Sequence, residues 1–367
     1  MRAWQQVTRW IPGRAGSRNR RKRQDRRGRR WRLAARRVGV GGLALLGCLV
    51  LLAGGGWVAL VAAGSGTPAR AAHGTGNDAL WLGHAWVDGR KQQSDVDALA
   101  EQLRTTGIHD LFVHSGPLRD DGTLDPALLP QARWLAGALH TAMPGVRVQA
   151  WLGAHPVPEE LRLDSATTRA AVLTAAAQVL DDGFDGVHYD FEPVVDGDRD
   201  LLTMLRQTRE LTRRRGALLS VSAIHTQPVS GLAPAVRLLP GRLALWSDDY
   251  LRAVAVEVDQ VALMAYDTAL PDQASFRGYL RLVTERALAA VPADVTLFIG
   301  VPAYHDEHAF HHRSAETVAA AVRGVRLGLG PHPPRRTVGV AMYVDFAATP
   351  HDWDSYREGW ADLRPAR

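Results

Sequence analysis

The chain has 367 residues and a formal net charge of +6, with 44 Lys and Arg against 38 Asp and Glu. The charge is uneven: residues 1–37 hold fifteen Arg and Lys and one acid, Asp25, so they carry +14 and the remainder carries −8. A body of that sign lacks the basic footprint of a nucleic-acid binder, and a single cysteine, Cys48, excludes a disulfide framework.

In chain order, residues 1–37 read as a basic cytoplasmic tail. No residue from Val38 to Gly64 is charged, and leucine, valine and glycine dominate. A helix of that length at about 1.5 Å per residue crosses a bilayer core of about 30 Å. Arg36 and Arg37 stand at its amino end. This predicts a single-pass membrane helix over 38–64, with the tail inside and the body outside the cytoplasm. A cleaved export signal ending near Ala69-Arg70-Ala71, and lipidation at Cys48, are other readings of the same stretch. Residues 65–78 (SGTPARAAHGTGND) form a short polar linker.

Residues 79–367 then alternate strands with helices. Strands are expected at Ala79–Trp86, His109–His114, Val146–Gly153, Gly183–Pro193, Leu218–Ile224, Gln260–Tyr266, Val295–Val301 and Thr337–Tyr343. Helices are expected between them, several opened by a capping Ser such as Ser94 or Ser165. Eight such units with apolar strands predict an α/β fold, a closed (β/α)8 barrel of parallel strands. The rival, an open doubly wound sheet, lacks a G-x-G-x-x-G after the first strand. In a barrel, chemistry gathers at the carboxyl ends of the strands. His114, His155, Asp190, Glu192, His225, Tyr266, Asp267, Tyr304, His305, Tyr343 and Asp345 all fall there.

The fourth strand, GFDGVHYDFEP (183–193), is the focus. Alternation puts Val187, Tyr189 and Phe191 on one face and His188, Asp190 and Glu192 on the other. Two carboxyls on one face should have their pKa values pushed apart, one staying protonated as an acid and one ionised. A structural hydrogen-bonded pair is the plainer alternative.

Asp185-Gly186-Val187-His188-Tyr189-Asp190-Phe191-Glu192 resembles the D-G-x-D-x-D-x-E signature of family 18 glycoside hydrolases, the chitinases and their relatives. Met264-Ala265-Tyr266-Asp267 is similar to that family's M-x-Y-D, and Gly300-Val301-Pro302-Ala303-Tyr304 to its G-x-P-x-Y. The resemblance implies hydrolysis of β-linked N-acetylglucosamine glycans such as chitin or peptidoglycan. It makes Glu192 the general acid, and Asp190 the group that holds the substrate's 2-acetamido function as its carbonyl oxygen attacks the anomeric carbon. Tyr266 would bond that same function, and Asp267 would steady the sugar. Tyr304, Tyr343, Trp86 and Trp151 are the further candidates for the glycan cleft, with Trp353 as an additional aromatic. Two positions depart from the pattern. His188 replaces the middle Asp and is expected to donate to Asp190; Tyr343 replaces the usual Trp under the sugar. A non-catalytic glycan-binding barrel remains the alternative. No cofactor is expected. A metal reading of residues 305–312 rests on the i, i+4 spacing of His308 and His312, but H-E-x-x-H is missing and the stretch reads as an exposed loop.

Overall fold

A computed structural model of the chain describes residues 54–236 and 244–361. Eight strands form a closed, all-parallel barrel in sequence order. They are β1 (Asp78–Leu82), β2 (Ile108–Pro117), β3 (Arg147–Ala154), β4 (Gly186–Phe191), β5 (Leu218–Ala223), β6 (Gln260–Leu263), β7 (Thr296–Pro302) and β8 (Val338–Tyr343). All eight expected strands are present, most of them within a few residues of their expected ends.

The described helices are α1 (54–63), α2 (Gln93–Leu103), α3 (Ala132–Ala142), α4 (Ala166–Asp181), α5 (Arg199–Arg215), α6 (Leu232–Val236), α7 (Asp248–Ala255), α8 (Gln273–Ala290), α9 (Val318–Leu329) and α10 (Pro350–Tyr356). Their starts follow from side-chain caps. Ser165, Asp198, Ser247, Asp272, Thr317 and Thr349 each accept a backbone N–H of the first turn, satisfying donors that a helix leaves without partners.

The expectation of a membrane-spanning helix over 38–64 is corrected. Among the described residues no helix is long and apolar enough to cross a membrane; residues 38–53 lie outside them. The described part of the run includes helical residues 54–63, α1. Its last turn packs on protein instead. Leu60 lies against the apolar core, and a Cβ on Gly278 of α8 would collide with the Leu60 carbonyl. Arg281 and Arg277 donate to the carbonyls of Ala63 and Gly64. The described end of this uncharged run is thus covered by a barrel helix, which composition alone does not distinguish from coverage by lipid. The membrane as a partner, the signal-anchor and the single-pass topology fall with that correction. Of the compact unit Met1–Trp57 only helical residues 54–57 are described; the barrel belongs to the unit Val58–Arg367.

Alternation along each strand splits the interior in two. Residues such as Leu80, Val113, Val187, Tyr189 and Val221 pack outward under the helices. Ala79, Trp81, Phe112, Trp151, Ala262, Phe298 and Ala341 fill the lumen. The lumen also holds a polar column. Arg147 and both Gln149 and Gln260 donate to the buried Asp110, and Ser220 Oγ donates to Gln149 Oε1 at 2.9 Å. His188 Nδ1 lies 2.7 Å from Ser220 Oγ. Each side chain of this column has a partner, as burial requires.

The first two residues of the β4 motif set that strand's position. Asp185 accepts from Val148 N–H at 2.8 Å and from His140 at 2.7 Å, tying β3 to β4. A side chain at Gly186 would put its Cβ 2.7 Å from the Leu218 carbonyl, so only glycine permits the close β4–β5 approach.

Candidate active site

β4 delivers Asp190 and Glu192 to the mouth of the barrel. Glu192 N–H bonds the Ala154 carbonyl at 3.0 Å, which fixes the strand end beside β3. Trp151 donates its indole N–H to Asp190 Oδ2 at 2.9 Å. The other oxygen, Oδ1, is buried and has no hydrogen-bond partner among the described residues. Burial, then the charge of Asp190, then a hydrogen bond with Asp190 and last the charge of Asp267 push the Glu192 carboxyl up to about 9. At neutral pH Glu192 is therefore a carboxylic acid with a proton to give.

Two cavities meet at this pair. One, of about 340 Å³, runs toward β6–β8 and is lined by Trp81, Tyr266, Asp267, Tyr304, Tyr343 and Phe346 besides Asp190 and Glu192. The other, of about 410 Å³, runs over β2 and β3 past His114, Asp120, His155 and Glu160. Burial, with the neighbouring His84, pushes His114 down to about 4, so it stands there as a neutral imidazole.

The first cavity has an aromatic floor. Tyr343 stacks on Tyr266 at 5.3 Å and 19°, and meets Tyr304 and Trp81 edge-on at 5.6 Å each. Burial and the charges of Asp190, Glu192 and Asp267 raise the Tyr343 hydroxyl to about 12. The Tyr266 hydroxyl is also raised, by burial first. Both phenols therefore donate hydrogen bonds at any ordinary pH. Gly300 of the β7 motif makes room here: a Cβ would lie 2.9 Å from the Tyr266 ring. Tyr304 donates its hydroxyl to Asp267 Oδ1. Asp267 itself sits at φ 58°, a left-handed conformation that Asp tolerates better than most residues. Glu316, ahead of α9, holds it there. Its carboxylate accepts from Asp267 N–H at 2.7 Å and from Thr268 N–H and Oγ at 2.8 and 2.7 Å.

Six of the nine candidates thus line one cavity: Asp190, Glu192, Tyr266, Asp267, Tyr304 and Tyr343. Trp151 reaches it through Asp190. His188 does not reach it, and no hydrogen bond joins it to Asp190. It is fully buried, stacked on Phe112 at 3.9 Å and 13°. Ser220 spends its proton on Gln149, so His188 Nδ1–H donates to Ser220. Nε2 then accepts from Ser222 at 3.0 Å and Trp81 at 3.3 Å. Burial pushes its pKa down to about 3, so the expected charge relay to Asp190 has neither the proton nor the contact. Trp86 is a buried strut whose indole donates to Asp345 Oδ2 at 2.7 Å. Trp353 is likewise buried in the core. His225 Nδ1 lies 3.3 Å from the Tyr279 hydroxyl of α8, and His305 pairs with Asp352.

Sequence reasoning missed Trp81, Phe346 and Glu316. Strand parity was the available signal for Trp81, two residues from the inward Ala79. Phe346 is 75% exposed, a large apolar ring left at the cavity rim; nothing local in sequence marks it.

No family model matches the chain, and no curated protein matches it. Solved structures do, at low identity. The spore cortex-lytic enzyme SleL of Bacillus cereus is 14% identical, with a TM-score of 0.55 over 77% of this chain and 74% of that one. The C-terminal domain of a putative chitinase from Desulfitobacterium hafniense is 13% identical, with a TM-score of 0.55 over 78% and 99%. A chitinase from Chromobacterium violaceum is 14% identical, with a TM-score of 0.53 over 78% and 99%. The chain shares the eight-stranded barrel fold of these proteins. At these identities the likeness is one of architecture.

Proposed function

We propose that this barrel hydrolyses β-glycosidic bonds in N-acetylglucosamine-containing glycans by a substrate-assisted route. Glu192 protonates the leaving glycosidic oxygen. Asp190 offers its unpartnered Oδ1 to the 2-acetamido N–H, so that the acetamido oxygen attacks the anomeric carbon and no enzyme nucleophile is needed. Tyr266 donates to the same acetamido oxygen, and Asp267 orients the sugar over the Tyr343 ring. The observation that carries this reading is the pair itself: one carboxyl kept protonated to about 9 beside another with a buried, unanswered oxygen. That three structural neighbours are named as chitinases or a cortex-lytic enzyme agrees with chitin or peptidoglycan as the substrate class.

Turnover of a fluorogenic N-acetylglucosamine oligomer by the wild type and by Glu192→Gln tests it. The expected loss is at least about 10²-fold, the scale of a general acid. Equal turnover in both proteins would move the chemistry elsewhere. One observation favours a second reading, a glycan-binding barrel without turnover: neutral His188 leaves Asp190 without the relay its position implies. Tight oligomer binding with no wild-type hydrolysis would establish that reading instead.

A further inference from the structure

His311 is fully buried, yet neither ring nitrogen makes a hydrogen bond among the described residues. An imidazole left so costs the full desolvation of its polar atoms. Its surroundings are anionic. Nδ1 lies 3.3 Å from Asp267 Oδ1 and 3.3 Å from Glu316 Oε2. His308 Nε2 lies 3.7 Å from the same Asp267 oxygen. These separations are too long for charge-assisted hydrogen bonds, which run about 2.7–2.9 Å. They match the edges of a ligand polyhedron. A tetrahedral zinc with donors at about 2.0–2.1 Å has donor–donor edges of about 3.3 Å. The donor atoms of Asp267, His311 and Glu316 all lie within 4.8 Å of one another. No Lys or Arg lines the cavity on the Asp267 side, and the one basic group set between the two carboxylates is His311 itself.

We propose that Asp267, His311 and Glu316 form a zinc-type divalent cation site, which half-exposed His308, 3.7 Å from Asp267, completes as fourth ligand when the ion binds. Two imidazoles and two carboxylates suit that ion. The backbone prepares the site. His308 and His311 exchange both N–H···O bonds at 3.1 Å, and Ala269 N–H bonds the Phe310 carbonyl at 2.7 Å. That closes the loop after β7 onto the loop after β6. Tyr304 stacks on His311 at 4.2 Å and donates to Asp267, so it supports two of the ligands. The i, i+4 pair His308 and His312 is not the one brought together: His312 turns away to Glu307 at 2.9 Å. The cation locks the two loops and fixes Asp267 at the cavity wall. It is a positioning ion, apart from the Glu192 acid.

The test is Zn²⁺ binding to the chelator-stripped full chain, by competition with a chromophoric chelator. One ion per chain is expected, with a rise in Tm. Co²⁺ in its place should give the intense visible bands of a tetrahedral site. Both His308→Ala and His311→Gln should weaken Zn²⁺ by at least about 10–100-fold, and His312→Ala should leave it unchanged. Should buried His311→Gln fail to fold, half-exposed His308 carries the comparison. Absence of stoichiometric binding in the wild type, or a loss in His312→Ala equal to that in His308→Ala, would overturn the proposal. Since the readout is binding and not turnover, it stands or falls apart from the hydrolase reading.

Discussion

Two buried histidines, His188 in the lumen and His311 at the mouth, differ in what surrounds them. His188 has Ser220, Ser222 and Trp81 on its nitrogens and Phe112 on its face. Every donor has an acceptor, and one tautomer satisfies the column. His311 has the Tyr304 ring and two carboxylates at 3.3 Å, with no hydrogen bond to either ring nitrogen among the described residues. A satisfied histidine is part of the scaffold. An unsatisfied one among carboxylates points to a group that the protein chain does not supply.

The contrast can be broken by mutation, and the largest effect should fall on the satisfied member. His188→Ala leaves a cavity beside Phe112, removes the donor to Ser220 and unpairs Ser222 and Trp81 from their acceptor. Urea unfolding should show a loss of about 2–5 kcal/mol. His311→Ala, measured without added zinc, leaves a cavity beside Tyr304 but breaks no hydrogen bond, and should cost less than His188→Ala by more than 1 kcal/mol, about fivefold in the folding equilibrium constant. Equal losses would erase the distinction.

Glu316→Gln comes next. It replaces an acceptor of three hydrogen bonds with a group that must turn an N–H toward one of those donors. About 1–3 kcal/mol of stability should go, and hydrolysis should fall with it, because Asp267 loses the carboxylate holding its left-handed backbone. Unchanged kcat/KM in a destabilised protein would confine Glu316 to folding.

Glu192 sharpens the same contrast through pH. Burial holds it near 9 against 4.5 for a free side chain. The folded protein thus keeps a proton that the unfolded chain releases between those values. Stability contributed by the protonated group is complete below about 4.5 and is lost as pH rises through 9. Glu192→Gln carries no such penalty, so its Tm should exceed that of the wild type at pH 8 and equal it at pH 4. A Tm difference independent of pH would contradict the raised pKa. The smallest effect belongs to Phe346, exposed at the rim. Phe346→Ala should leave Tm unchanged and raise KM about fivefold, for about 1 kcal/mol of ring stacking on a sugar.

The barrel was legible because its signals are local. Apolar strands, the Ser165 cap and the glycines at 186 and 300 each act within a few residues or one strand pairing, whereas Ser94, expected as a cap, lies inside α2, which Gln92 caps. The β4, β6 and β7 motifs were legible for the same reason, and they brought Asp190, Glu192, Tyr266, Asp267 and Tyr304 to one cavity. What failed depends on distant coverage. The uncharged run ending at Gly64 looks the same whether Arg277 and Arg281 or lipid meets its end. His188 reads as a relay until Ser220, on the next strand, takes its proton. Trp86 reads as a cleft aromatic until Asp345, far along the chain, claims its indole. His311 gains meaning only when Glu316 and Asp267 stand beside it.

The central claim is that Glu192 delivers its proton as a carboxylic acid held far above its ordinary pKa. The pH dependence of wild-type kcat/KM on an N-acetylglucosamine oligomer tests it most directly. A descending limb near pH 9, absent from whatever residual rate Glu192→Gln retains, is the predicted result. A limb near pH 4–5, or one that persists unchanged in Glu192→Gln, would contradict it.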